Sequence, residues 1–274
     1  MAHRMQLKGR TAVVTGAAGG IGRAIAVSLA QRGCHLALVD INDTGLVETG
    51  ALVTKPGMRV SQHHLDVADR AAVAAFPGAV QALHPSLDLL INNAGVALGG
   101  AFEQLSEEDF EWLFEINFWG VVRLTRAFLP LLKASDDARI VNLSSIFGII
   151  APPGHSAYVA SKFAVRGLSN VLRFELAGTP VGVTVVHPGG VATSIARNAR
   201  VAAAISAEEA ARGREDFSRH LRLPPEKAGE VIVRGIERRQ ARVLVGSDAK
   251  LIAMIERLAP VSYGRFLRWL EGKA

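Results

Sequence analysis

The chain has 274 residues, one cysteine, 49% hydrophobic residues and 20% charged ones. That is too apolar for a disordered chain, and one cysteine forms no internal disulfide, which favours a reducing, cytoplasmic setting. The formal net charge is +6, with 11 Lys+Arg against 14 Asp+Glu in residues 1–137 and 20 against 11 in residues 138–274. No apolar run approaches the ~18 residues of a transmembrane helix.

Taken in chain order, the first element predicted is a buried strand at Thr11–Thr15. The flanking Arg4, Lys8 and Arg10 imitate a signal peptide, but Gly16, Gly19, Gly20, Gly22 and Arg23 interrupt the apolar stretch behind them. A helix is expected from about Gly20 to Arg32. Strands follow at His35–Asp40, weakly at Arg59–Gln62, and at Leu87–Ile91, Arg139–Leu143, Val181–His187 and Ala241–Val245. Most are apolar throughout, as in strands covered on both faces. Helical stretches lie between them at Thr44–Thr54, Asp69–Leu83, Glu107–Lys133, Ala157–Leu176 and Glu226–Gln240. Ser106 with Asp109 resembles a capping box opening the third of these. The alternation predicts one α/β domain spanning 1–274, a Rossmann-type doubly wound parallel sheet of about seven strands with helices on both faces.

Gly16, Gly20 and Gly22, with Ile21 among them, lie between the first strand and the first helix. Such a turn lets backbone approach a pyrophosphate, and the helix N-terminus offers free N–H groups to it. Asp40 ends the second strand 18 residues after Gly22. An acid there accepts hydrogen bonds from the adenosine ribose and repels a 2′-phosphate, which favours NAD(H) over NADP(H). Arg23 is the residue that could reverse that preference. Tyr158 and Lys162 stand four apart on one helix face. An ammonium beside a phenol lowers the phenol pKa, so the pair suits acid/base work. Ser145 follows a strand end, where ligands bind in such sheets. No His, Cys or carboxylate cluster has metal-ligand spacing; His63-His64 lacks a partner.

With Asp66-Val67, Asn92-Asn93-Ala94-Gly95, Asn117 and Pro188-Gly189, these motifs resemble the short-chain dehydrogenase/reductase family over about residues 8–246. The resemblance implies hydride exchange between a nicotinamide and a carbinol carbon. It implies that Tyr158 is the acid/base, Lys162 holds the nicotinamide ribose, Ser145 orients the substrate oxygen and Asn117 anchors a relay water. It assigns Asp66 and Val67 to adenine, Asn93, Ala94 and Gly95 to the ribose pocket, and Pro188, Gly189, Val191 and Thr193 to the nicotinamide. It also implies a homodimer or homotetramer.

Gly95–Phe102 and Phe147–His155 should line the substrate side without Lys or Arg, which points to a largely apolar alcohol or ketone. His155 is expected at the rim. Residues 190–225 should form a lid with an Ala-rich helix at Val201–Ala211 and an Arg-rich solvated face. The chain departs from the family ending, with 28 residues after Gly246. Their helical spacing at Leu251, Ile252, Ile255 and Leu258, and the basic-aromatic run 265–270, favour packing on the body or a second copy over lying on a membrane surface. Two other readings stay open: an NADPH-dependent ketoreductase of acyl thioesters, and a non-catalytic nucleotide sensor or scaffold. Nucleic acid is disfavoured because basic residues do not interleave with stacking aromatics outside the C-terminus.

Overall fold

A computed structural model describes residues 4–264. In chain order it runs β1 (Thr11–Thr15), α1 (Gly20–Gln31), β2 (His35–Asp40), α2 (Asp43–Val53), β3 (Val60–His64), α3 (Arg70–Leu83), β4 (Leu89–Asn92) and β5 (Leu98–Gly99). Then come α4 (Glu107–Phe114), α5 (Gly120–Ala134), β6 (Ala138–Leu143), α6 (Ser156–Glu175) and β7 (Val181–Pro188). The last elements are β8 (Arg200–Val201), α7 (Ala207–Arg219), α8 (Pro225–Glu237), β9 (Arg242–Val245) and α9 (Ser247–Leu258).

Seven strands form one sheet in the order β3-β2-β1-β4-β6-β7-β9. Every pairing is parallel. Side chains alternate across it. Ala12 and Val14 join Ile25, Leu29, Ile232 and Ile236 in the core beneath α1 and α8. Val13 joins Val73, Phe76, Leu124 and Phe128 in the core beneath α3 and α5. Both faces are dry, which is why the strands read as apolar throughout. The strand order reverses beside β1, between β1 and β4, so the C-terminal strand ends open a crevice there.

Two expectations need correction. The single helix expected at Glu107–Lys133 is broken by a π-type turn at Glu115–Trp119. The helix expected at Val201–Ala211 starts later: Ser206 caps it and accepts from the Glu209 N–H. Residues 200–201 are instead extended and pair with β5, Leu98 opposite Arg200. That local cap and long-range pairing outweigh alanine's helix preference. Residues 265–270, expected to pack or lie on a surface, are outside the described residues.

Candidate active site

The glycine turn is built by exclusion. Gly16 sits at φ +65°, and a Cβ on Gly22 would collide with the Gly16 carbonyl. The Asn93 side chain donates to the carbonyls of Thr15 (2.9 Å) and Gly16 (3.2 Å), fixing the turn to the end of β4. The Thr15 hydroxyl accepts from the Asn93 and Ala94 N–H groups, both at 3.0 Å. Thr193 leans on the same turn: a Cβ on Gly20 would lie 3.1 Å from its methyl. Val191 is turned into the core, and Ile21 is partly buried against it.

Asp40 stands at the end of β2 beside this turn. Its carboxylate accepts from the Ala18 N–H at 2.9 Å and the Asn42 N–H at 3.1 Å. Arg23 is tied elsewhere, donating to the Thr49 hydroxyl (2.9 Å), the Glu48 carboxylate (2.6 Å) and the Ala18 carbonyl (2.5 Å). Residues 41–44 are Ile, Asn, Asp and Thr, with no cation. Asp66 is exposed and caps its own turn through the Ala68 N–H, while Val67 is buried against Gly120.

The chemistry-bearing side chains lie on the far side of β4. Tyr158 and Lys162 sit on one face of α6, at 9% and 5% exposure. The Lys162 ammonium lies 5.5 Å from the Tyr158 ring centroid and donates to the Leu143 carbonyl at 3.2 Å. Ser144 binds the Lys162 carbonyl at 2.8 Å, which pins α6 to the end of β6. Ser145 caps the single turn Ile146–Gly148 by accepting from the Phe147 N–H at 3.1 Å. Asn117 is fully buried inside the π-type turn. Its amide accepts from the Val96 N–H (2.8 Å) and donates to the Val96 carbonyl (3.0 Å) and the Ser161 hydroxyl (3.4 Å). A Cβ on Gly95 would touch both the Asn117 amide oxygen (3.0 Å) and the Lys162 nitrogen (3.4 Å). Gly95, Asn117 and Lys162 thus meet at one point. Such widened turns recur where a side chain is turned off the helix face for use.

Burial sets the ionisation. It pushes the Tyr158 phenol up to about 12, with the Ser145 hydroxyl pulling the other way. It pushes the Lys162 ammonium down to about 8. For the phenol, desolvation is the larger effect and the Ser145 hydrogen bond the smaller, opposing one.

Two residues escaped the sequence reading. His187 is fully buried, and its Nδ1 meets the Ser145 carbonyl at 2.8 Å from beneath. Burial holds it neutral, down to about 4. Its place one residue before Pro188-Gly189 was the available signal. Phe217 of α7 stacks obliquely on Phe147 (6.3 Å) and on His155 (5.6 Å). Phe147 in turn meets the Tyr158 ring edge-on at 6.0 Å. His155 is thus held between aromatic rings. Arg200 pairs with Asp109 at 3.3 Å and covers the Trp112 ring, and Arg212 and Arg219 pair with neighbouring acids on α7.

A turn that only glycines fit, a helix N-terminus behind it and an acid at the tip of β2 suit a dinucleotide. The family model for short chain dehydrogenases matches residues 10–204. The chain belongs to the short-chain dehydrogenase family. A putative oxidoreductase SadH of Mycobacterium tuberculosis is 46% identical over 95% of this chain and 94% of its own. Oxidoreductase UcpA of Salmonella typhimurium is 38% identical over 70% and 73%. Among solved structures, a short-chain dehydrogenase/reductase from Burkholderia phymatum in complex with NAD superposes with a TM-score of 0.86 at 30% identity, over 93% of this chain and 95% of that one. A short-chain dehydrogenase from Mycobacterium paratuberculosis bound to NAD gives 0.76 at 27% identity, over 88% and 97%. This family member is accordingly an oxidoreductase of CH–OH groups with a nicotinamide cofactor. No described helix is long and apolar enough to cross a membrane.

Proposed function

We propose that the protein is an NAD(H)-dependent dehydrogenase or ketoreductase of a largely apolar secondary alcohol or ketone. The observation that carries this is the convergence of Ser145, Tyr158 and Lys162 under the rings of Phe147 and Phe217. When bound, the nicotinamide supplies or accepts the hydride. Tyr158 passes the proton to or from the substrate oxygen. Ser145 holds that oxygen, with its own carbonyl fixed by His187. Lys162 adds positive charge beside the phenol, and Asn117, joined to Val96 and Ser161, carries the proton path outward. Water-poor surroundings strengthen each of these interactions.

NAD(H) is the preferred cofactor on this reading. Asp40 offers a carboxylate to the ribose hydroxyls, and Arg23 is committed to Glu48 and Thr49. The same pair speaks against the NADPH-dependent thioester reductase. Arg200, Arg212 and Arg219, half of the six arginines in residues 190–225, are already paired with acids. Residues 190–225 act as a lid on one working unit. Exposed Trp119 before α5 and Phe163, Val171 and Phe174 on α6 support self-association. Binding of NAD(H) against NADP(H), followed by turnover of secondary alcohols of graded size, tests the proposal. Tighter NADP(H) binding, or turnover restricted to charged thioesters, would sink it.

A further inference from the structure

The segment after β9 touches the site at two points. Asp248 lies in the first turn of α9, where the helix N-terminus already holds an anion in place. Its carboxylate accepts from the Gly190 N–H at 2.7 Å. The Gly190 carbonyl accepts from the Arg222 and Leu223 N–H groups, both at 2.9 Å. One residue therefore joins the start of the 190–225 segment, its end and the C-terminal helix. The fit is close: a Cβ on Gly189 would collide with the Asp248 carboxylate, and one on Gly190 with the His220 carbonyl. Two residues beyond Val191, whose neighbour Ala192 donates to the Leu223 carbonyl at 2.8 Å, Thr193 rests on the glycine turn.

The second point is the substrate loop. The Tyr263 hydroxyl accepts from the Ala151 N–H at 2.9 Å. Between the two contacts, Ala249 and Ala253 pack on Ile146, Ile149 and Ile150. The same loop carries Phe147, whose ring meets Tyr158.

We propose that Asp248 and Tyr263 are positioning residues, which strap the base of the lid and the substrate loop to the end of the sheet. This rests on the reading of residues 190–225 as a lid. Asp248 sets how firmly the lid base stands over the cofactor turn. Tyr263 sets the shape of the apolar wall beside Tyr158.

Limited trypsin digestion of the free protein, with steady-state kinetics alongside, separates the roles. In Asp248→Ala, cleavage within residues 197–222 speeds up about tenfold and KM for NAD rises about tenfold, the loss of one charge-assisted hydrogen bond, while kcat changes less than twofold. Asp248→Asn keeps an acceptor oxygen for Gly190 and falls between. Tyr263→Phe leaves lid cleavage and the NAD KM alone, and changes the kcat/KM ratio between bulky and small alcohols. Wild-type cleavage and wild-type NAD KM in Asp248→Ala, or in Asp248→Leu if the alanine variant does not fold, overturn the strap at the lid. An unchanged substrate ratio in Tyr263→Phe overturns the second contact. If the wild-type protein oxidises no alcohol with NAD, the functional reading fails, while the digestion arm still decides the strap.

Discussion

The two sides of the crevice are built differently. On the cofactor side, the turn after β1, the end of β2 and the end of β4 are fixed by backbone: Asn93, Thr15 and Asp40 all bind main-chain groups, most of them within the first hundred residues. On the substrate side, Phe147 and His155 of one loop meet Phe217 of α7 through side chains, and Asp248 and Tyr263 brace them from beyond the sheet. The first side has one shape dictated by hydrogen bonds. The second has a shape set by packing, which tolerates exchange of side chains more readily. Chemistry and cofactor choice should therefore be brittle, and substrate choice adjustable.

Substitution at Tyr158 is the hardest blow to the chemistry. Tyr158→Phe should lower kcat about a thousandfold, with an unchanged unfolding midpoint, as read by initial rates and circular dichroism. Asp40→Ala should shift the ratio of kcat/KM for NAD over NADP by roughly a hundredfold, measured with one alcohol and both cofactors. On the adjustable side, Phe217→Ala should raise KM for apolar substrates about tenfold by removing buried ring area, and leave KM for NAD within twofold. If both KM values rose together, the division between the two sides would collapse.

Two pH experiments sharpen the comparison further. Burial brings Lys162 down to about 8, so kcat/KM for ketone reduction should fall as pH rises through that value and the ammonium is lost. Lys162→Arg, which keeps its proton throughout, should move that limb to higher pH. His187 is lowered from 6.5 to about 4 by burial, with Arg242 and Arg166 adding to the effect. The unfolded chain then binds more protons between those values, so stability is full above 6.5 and is lost as pH falls toward 4, by about 3 kcal/mol. His63 and His84, also lowered by burial, add to the same window. His187→Asn keeps a donor toward Ser145 and should flatten that slope, as followed by denaturant unfolding at several pH values.

The cofactor side was legible in the sequence because its constraints are local. A glycine turn between strand and helix, and an acid at a fixed distance, are short-range signals, and the site carries both. The Tyr158–Lys162 pair was legible for the same reason. The widened turn around Asn117 was not, because the sequence there is helical in period and the break serves contacts to Val96 and Ser161. The extended pair Leu98 with Arg200 was missed because it joins segments a hundred residues apart. Burial of the phenol, which raises its pKa, is reported by no spacing rule.

The base of the 190–225 segment, where Ala192 is bonded to Leu223, has a consequence for how this architecture can diversify. The chain leaves the body and returns to it at adjacent residues. For a loop closed that way, doubling its length adds only about 0.6 kcal/mol of closure cost. Residues between Ala202 and Phe217 can therefore be lengthened, shortened or exchanged as a cassette, while the seven-stranded sheet registers no change.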